Sequence, residues 1–223
     1  MTEILPCVEI EPKGGDARGA VVWLHGLGAN GHDFEPIVPM LQQPQLRFVF
    51  PHAPPMPVTI NQGFVMPSWY DIKTLERSPD RESEPDIRRS AKYVEALIQR
   101  EKDRGVPADR IVLAGFSQGA AMTLHVGLRH PETLAGLLVL SGYHLVADTY
   151  MSERSEANLG TPMLMCHGTR DDVLPIDLGR SARDFMRKQM PSADIEWHEF
   201  PIGHEVSVPE IEIVAAWFAK RFG

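Results

Sequence analysis

Residues 110–121 read Arg-Ile-Val-Leu-Ala-Gly-Phe-Ser-Gln-Gly-Ala-Ala, an apolar run followed by two glycines around a serine and then by small residues. The apolar run, residues 110–114, has the composition of a strand that is covered on both faces, as in a parallel sheet. A helical pattern follows from residue 118 to residue 129, where His130-Pro131 ends it. A buried strand that leads directly into a helix is the repeating unit of α/β folds.

The same alternation continues on both sides of this stretch. Further apolar runs that predict strands are residues 20–24, 47–50, 136–140, 163–165 and 195–200. Helical patterns occupy residues 87–98, 178–189 and 209–222. Ser83 is the predicted N-cap of the first of these helices, with Pro85 in its first turn. We therefore predict an α/β fold with a mostly parallel central sheet and helices on both faces, formed by residues 1–223 as a single domain.

Two connections are long enough to cover a site. Residues 51–67 hold five prolines, and we interpret them as a long ordered loop that forms a fixed wall, because proline restricts the backbone. Residues 141–161 are largely polar and lack the continuous apolar face that a helical lid needs. We therefore expect no large cap domain.

Composition excludes several classes of protein. The 223 residues include 22 Lys and Arg against 30 Asp and Glu, a formal net charge of −8, which argues against nucleic acid as a partner. Apolar runs are far shorter than the ~18 residues of a membrane span, so we expect no stable membrane association. The first residues lack the pattern of a signal peptide, and the only cysteines, Cys7 and Cys166, form no disulfide framework. These features predict a soluble protein of the cytoplasm.

One glycine motif has a misleading appearance. Gly26-Leu27-Gly28-Ala29-Asn30-Gly31 matches the pattern G-x-G-x-x-G of dinucleotide sites. Such a site also needs an acidic residue about 20 positions further on to hold the ribose. No Asp or Glu occurs between residues 36 and 70, which argues against an oxidoreductase of the NAD type. His198-Glu199 likewise lacks the second histidine of a zinc motif, so we predict neither an organic cofactor nor a metal.

The second glycine motif carries chemistry. Gly115-Phe116-Ser117-Gln118-Gly119 is a G-x-S-x-G at the junction of strand and helix, where a tight turn exposes the serine hydroxyl above the sheet. The helix N-terminus brings backbone N–H groups and a positive dipole end beside a reacting carbonyl. Ser117 is therefore the candidate nucleophile. A serine hydroxyl needs a base, and the base needs an acid that orients it.

The partners should follow Ser117 in the order acid, then histidine. Asp171 and Asp172 come after the strand at residues 163–165, and His204 comes after the strand at residues 195–200. Both positions lie beyond the carboxyl ends of strands, where open α/β sheets place their sites. The spacing does not separate Asp171 from Asp172. Among the nine histidines, His144 is the next candidate base.

Three other histidines are predicted to have structural rather than catalytic roles. We interpret His25, before the glycine loop, and His167, before the acidic turn, as loop-bracing residues. His125 lies within the helix at residues 118–129 and is interpreted as a packing or surface group.

Several segments together point to a family. They are Leu24-His25-Gly26-Leu27-Gly28, Pro67-Ser68-Trp69-Tyr70-Asp71, Gly115-Phe116-Ser117-Gln118-Gly119, His167-Gly168 with Asp171 and Pro175, and Gly203-His204. In this combination the sequence resembles the carboxylesterase/acyl-protein thioesterase family of α/β-hydrolases over residues 21–222. The resemblance implies the α/β-hydrolase fold, and it selects Asp171 over Asp172 as the acid. It also implies an oxyanion hole formed by the backbone N–H groups of Leu27 and Gln118.

The resemblance implies a serine esterase that works through an acyl-enzyme without cofactor. Residues 168–172 make the sequence more similar to bacterial members, which act on small carboxylic esters, so we expect soluble esters of short to medium chain as substrates. Acyl-protein thioesterase or lysophospholipase activity is the alternative, as in eukaryotic relatives. A non-catalytic binding protein on the same fold is the alternative of a different class. The intact set of Ser, Asp and His argues against it.

Apolar residues near the motifs are candidates for acyl contacts. Leu27, Met66, Trp69, Val173 and Leu174 could contact an acyl chain, or they could be ordinary packing residues. Met56, Met66 and Trp69 could equally line a homodimer contact, so the oligomeric state stays open.

Overall fold

The computed structural model describes residues 3–76, 78 and 80–223. Within them the strands are β1 (Cys7–Ile10), β2 (Gly19–Leu24), β3 (Leu46–Pro51), β4 (Pro55–Val58), β5 (Phe64–Pro67), β6 (Ile111–Phe116), β7 (Gly136–Leu140), β8 (Met163–Gly168) and β9 (Ile195–Phe200). The α-helices are α1 (Val38–Leu41), α2 (Glu84–Asp103), α3 (Gln118–Gly127), α4 (Tyr150–Glu153), α5 (Ile176–Gln189) and α6 (Val208–Phe222).

A seven-stranded sheet in the order β1-β3-β2-β6-β7-β8-β9 forms the centre of the fold. β1 pairs with β3 in the antiparallel direction, and every other neighbouring pair is parallel. The six predicted strands are all present in this sheet, with ends that differ by up to three residues. The strands β2, β6, β7 and β8 are buried along nearly their whole length, which explains why their sequences are continuous apolar runs.

Helices cover both faces of the sheet, as the sequence predicts. Alternate residues of β2 point to opposite sides, so Val22 packs into one apolar core and Trp23 into another. Helices α2, α3 and α5 contribute to the first core, and α1 and α6 contribute to the second. This arrangement places the carboxyl ends of β6, β8 and β9 at one edge of the sheet, where the loops that follow them can meet.

Residues 51–67 differ from the predicted loop. They contain β4 and β5, which pair in the antiparallel direction as a separate two-stranded sheet. The prolines are tolerated because a strand with a free edge can hold a residue that lacks an N–H group. β1 was also not predicted, since its four residues are only half-buried or exposed and include Glu9, so they form no apolar run.

Residues 141–161 form the short helix α4 and several turns, and the described part of the chain contains no separate cap domain. None of the helices in the described ranges is long and apolar enough to cross a membrane.

Candidate active site

Ser117 occupies the sharp turn between β6 and α3. Its backbone has φ 54° and ψ −118°, a conformation that L-residues rarely adopt and that costs about 1–3 kcal/mol. The turn is tight on both sides: a Cβ on Gly119 would lie 2.2 Å from the Leu24 carbonyl oxygen, and one on Gly115 would lie 2.4 Å from the Gly119 backbone. The glycines of the G-x-S-x-G motif are therefore a steric requirement of the turn that presents the serine hydroxyl.

Ser117, His204 and Asp171 form a chain of hydrogen bonds, as predicted from their order in the sequence. The Ser117 hydroxyl is 2.8 Å from Nε2 of His204, and Nδ1 of His204 is 2.7 Å from Oδ2 of Asp171. In the neutral tautomer that this geometry favours, the hydroxyl donates to Nε2 and Nδ1–H donates to the carboxylate. The ring of Phe116 lies 4.8 Å from the imidazole and packs against it.

The surroundings of Asp171 distinguish it from Asp172. The Asp171 side chain is completely buried, and its Oδ1 accepts hydrogen bonds from the backbone N–H groups of Val173 and Leu174. These bonds fix the carboxylate and leave Oδ2 for the imidazole. Asp172 is exposed. Burial of a carboxylate without such partners would be costly, so the turn at residues 171–174 is built around the charge of Asp171.

His167 and His25 brace loops, as predicted. Nε2 of His167 is bonded to the Leu174 carbonyl oxygen at 2.8 Å, which holds the turn that carries Asp171. Nδ1–H of His25 donates to the Gly26 carbonyl, and its Nε2 accepts from the Ala53 N–H. Burial lowers the pKa of His25 to about 4, so the ring is neutral at pH 7 and can keep both bonds.

Two backbone N–H groups near Ser117 have no partner among the described residues. Gln118 is the first residue of α3, so its N–H has no acceptor within the helix. No acceptor is found for the Leu27 N–H either. The neighbouring Gly28, at φ +77°, donates its N–H to the Pro67 carbonyl and so fixes the glycine loop. Unpaired N–H groups beside the serine are what an oxyanion site requires.

Sequence reasoning missed the part played by the side chain of Gln118. Its carboxamide accepts from the Trp69 N–H at 2.8 Å and donates to the Tyr70 carbonyl at 2.7 Å. The Trp69 indole N–H then donates to the His25 carbonyl. The side chain thus connects the serine turn to the glycine loop through one buried residue. A polar residue beside the nucleophile, in a turn whose other neighbours are small or apolar, is the signal that could have indicated it.

Ser117 and His204 line a cavity of about 240 Å³, which is smaller than a typical drug-sized ligand pocket. Apolar side chains form much of its wall; they are Leu27, Ile60, Ile72, Leu75, Phe116, Val173 and Leu174. Ile60 comes from the turn between β4 and β5, so the proline-rich segment does contribute to the wall. Val173 and Leu174 also line this cavity, and their contact with an acyl chain stays a prediction.

Two other predicted acyl contacts, Trp69 and Met66, do not line this cavity. Trp69 is completely buried and packs against His25 with ring centroids 5.3 Å apart, so it belongs to the core. Met66 lies on β5 and is not among the residues that line the cavity. The alternative base His144 lines a neighbouring cavity, where it packs against Phe185, and it does not reach Ser117.

In the described part of the chain, no group of three or more His, Cys, Asp and Glu is arranged to hold a metal ion. The arrangement is suited to acyl transfer. It combines the hydrogen-bonded Ser117, His204 and Asp171 with two free N–H groups and a small apolar cavity.

Proteins with similar sequences are named as thioesterases or carboxylesterases, enzymes that carry out acyl transfer to water. The chain is 37% identical to acyl-protein thioesterase 1 of Yarrowia lipolytica over 97% of each sequence. It is 35% identical to a probable carboxylesterase SOBER1-like of Arabidopsis thaliana, over 92% of this chain and 79% of that one.

Solved structures have the same fold. The crystal structure of Arabidopsis thaliana SOBER1 matches with a TM-score of 0.85 and 32% identity, covering 93% of this chain and 100% of that one. Acyl-protein thioesterase 2 of Zea mays matches with a TM-score of 0.85 and 27% identity, over 98% and 100% of the two chains. The phospholipase/carboxylesterase family model matches residues 5–221. The chain therefore belongs to the phospholipase/carboxylesterase family of α/β-hydrolases and is an esterase-type hydrolase.

Proposed function

We propose that Ser117 is the nucleophile of an acyl hydrolase, that His204 is its general base and that Asp171 orients His204. The Ser117 oxygen attacks the carbonyl carbon of an ester while Nε2 of His204 takes the hydroxyl proton. The protonated imidazole then gives this proton to the departing alcohol or thiol. Water, deprotonated by His204, attacks the acyl-enzyme, and the acid leaves as Ser117 regains its proton. The observation that carries the proposal is the continuous hydrogen bonding from Ser117 through His204 to Asp171.

The negative charge that develops on the carbonyl oxygen is met by the N–H groups of Leu27 and Gln118. Both are fixed before substrate arrives, because the glycine loop and the first turn of α3 are held by other bonds. A single donor of this kind typically contributes about 3–4 kcal/mol to the transition state. Asp171 stabilises the imidazolium that forms on His204 without itself taking a proton.

The proposed substrates carry acyl groups of short to medium length. The small volume of the cavity and its apolar wall support this size. The second candidate is the hydrolysis of thioesters of acylated proteins, and the names of the relatives fit it better than they fit a carboxylesterase of small esters. The same three residues serve oxygen esters and thioesters, since the attack is on the acyl carbon in both. The cytoplasmic location, the single-domain organisation and a homodimer stay predictions.

Paired substrates distinguish these candidates. Hydrolysis of p-nitrophenyl esters and of matched alkyl thioesters, from two to sixteen carbons, should show kcat/KM highest at short to medium length. The rate should not rise sharply when the substrate exceeds its solubility limit, because the described residues provide no helical lid over the site. A clear preference for long-chain emulsions, with activation at the interface, would contradict the proposed substrate size. Strong preference for the thioester at every length would establish the second candidate.

A further inference from the structure

Arg81 lies where two cavities meet. Together with Tyr143 it lines the cavity that contains Ser117 and His204, and it also lines a neighbouring cavity of about 440 Å³. Only 8% of the Arg81 surface is exposed, so its guanidinium is a nearly buried charge on the wall of the candidate active site. None of the residues proposed for the chemistry requires this charge.

The guanidinium lacks a matching acceptor. Among the described residues no hydrogen bond from its side chain is found, and its buried Nε has no partner. Oε1 of Glu82 lies 3.1 Å from Nε. This oxygen is also without a hydrogen bond, so the two groups are close together but are not oriented to form one. The guanidinium instead lies over the Tyr143 ring, 5.0 Å from its centroid. Cation–π contact stabilises the charge but uses none of its N–H donors.

Other arginines of this chain form hydrogen bonds to carboxylates. Arg88 and Arg129 both bond to Glu153, and Arg104 bonds to Glu9 and Glu11. A buried guanidinium lowers the stability of the fold when its N–H donors are unpaired and its carboxylate partner is poorly aligned. A bound anion would offset this cost by accepting hydrogen bonds from those donors.

The charges around Arg81 leave room for one more anion. Glu82 is the carboxylate within salt-bridge distance, and burial raises its pKa, which weakens it as a counter-charge. Asp33 is the acidic residue that lines the Ser117 cavity, where the glycine loop also contributes. On the other side, His144 has both ring nitrogens buried without a partner. Burial lowers its pKa to about 4, so at pH 7 it is neutral and has one N–H to donate.

We propose that Arg81 binds a carboxylate carried by the ester substrate itself, an inference that rests on the proposed function of Ser117. The ester group lies at Ser117, and the anionic end of the same molecule reaches the boundary of the two cavities. A planar carboxylate matches the two parallel N–H donors of a guanidinium. The preferred substrates are therefore half-esters of dicarboxylic acids, or short hydroxy acids that are acylated on the hydroxyl group and keep a free carboxylate. Neutral esters of equal length should be poorer substrates.

Matched substrates test the proposal in the wild-type chain. Monomethyl adipate and methyl hexanoate differ in the end of the acyl part, and 4-acetoxybutyrate and pentyl acetate differ in the end of the alcohol part. Acid release, followed by titration at constant pH, gives kcat/KM for each. We expect one anionic ester to exceed its neutral partner by about 10- to 100-fold, the size of a charge-assisted hydrogen bond pair. The pair that shows the effect identifies which side of the ester faces Arg81.

Variants assign the effect to Arg81. Arg81→Met should remove most of the ratio between anionic and neutral ester, and Arg81→Lys should retain part of it. Arg89→Met is the matched control, because Arg89 is exposed, pairs with Asp86 and lines neither cavity, so the ratio should stay as in the wild type. Thermal unfolding shows whether each variant is folded. A second measurement avoids turnover: in calorimetry with Ser117→Ala, the anionic ester of the pair that shows the effect should bind more tightly than its neutral partner.

The outcomes separate the two proposals. Neutral esters hydrolysed as fast as both anionic esters, or an unchanged ratio in folded Arg81→Met, would overturn the carboxylate subsite and leave the proposed hydrolase intact. If the wild type hydrolyses none of the four esters and neither anionic ester binds Ser117→Ala, both proposals fail.

Discussion

Nδ1 of His204 is 2.7 Å from Oδ2 of Asp171, whose other carboxylate oxygen accepts two backbone N–H bonds. One oxygen of this buried carboxylate is thus held by the backbone of its own turn, and the other by the imidazole. Asp172, the next residue, is exposed to solvent. Two adjacent residues of the same type therefore have separate tasks, and the difference arises from which of them the turn buries.

Substitution of the two aspartates should have unequal effects. Asp171→Asn can invert the hydrogen bond to His204 and favour the tautomer that cannot accept the serine proton, so kcat should fall by about 10⁴-fold. Asp172→Asn is the matched control and should change kcat by less than about threefold, since surface substitutions usually have small effects. Steady-state kinetics on one p-nitrophenyl ester measures both. A larger loss in Asp172→Asn would show that the acid has been assigned to the wrong residue.

The side chain of Gln118 gives a second prediction. Gln118→Leu keeps the backbone N–H but leaves the buried Trp69 N–H without a partner, at a cost of about 1–3 kcal/mol. The Tyr70 carbonyl also loses one of its two donors and keeps only the Ser68 hydroxyl. Both the melting temperature and kcat should decrease, because the indole of Trp69 also holds the His25 carbonyl beside the glycine loop.

Gln99→Leu is the control for this substitution. Gln99 is exposed on α2 and bonds to Asp103, so its replacement should leave both the melting temperature and kcat near wild type. If Gln118→Leu behaved in the same way, the carboxamide would have no role in positioning the glycine loop.

The site was largely predictable from sequence because its chemistry is local to motifs. Ser117 is marked by glycines that its turn requires, and His204 and Asp171 are marked by strands that end just before them. The spacing alone could not separate Asp171 from Asp172, since burial depends on how residues 171–174 turn. Nor could it show that Trp69 is buried, because an aromatic residue in a loop can face a cavity or the core with the same local sequence.

The fold was predictable where strands are buried on both faces. β2 and β7 are continuous apolar runs, because sheet neighbours and helices cover both of their faces. β1 lies at the edge of the sheet and includes the exposed Glu9, so its sequence lacks that pattern. β4 and β5 are rich in proline, which normally argues against a strand, and only their pairing with each other makes the hairpin evident.

Acid should destabilise the folded chain. Burial lowers the pKa of His25 and His144 to about 4 and that of His125 to about 3. Unfolded histidine titrates near 6.5, so between about pH 6.5 and pH 4 the unfolded chain binds more protons and the free energy of unfolding falls as pH falls. The melting temperature should decrease over this range. A constant or rising melting temperature on acidification would contradict the neutral, buried state of these rings.

Glu210 opposes this effect and provides a control. Burial raises its pKa to about 7, so between pH 4.5 and pH 7 it is the folded chain that holds the extra proton, and this contribution to stability is lost as pH rises. Glu210→Gln removes the opposing contribution. The decrease in melting temperature between pH 6.5 and pH 4.5 should therefore be steeper in this variant than in the wild type.

Covalent labelling tests most directly whether Ser117 is an activated nucleophile. The protein is treated with a fluorophosphonate, digested, and analysed by mass spectrometry to locate the adduct. We predict one adduct, on Ser117, that forms in the wild type and is lost in Ser117→Ala and greatly slowed in His204→Ala, because the hydroxyl reacts only when Nε2 of His204 can take its proton. Absence of an adduct on any serine, or an adduct on a different serine with Ser117 unmodified, would contradict the account.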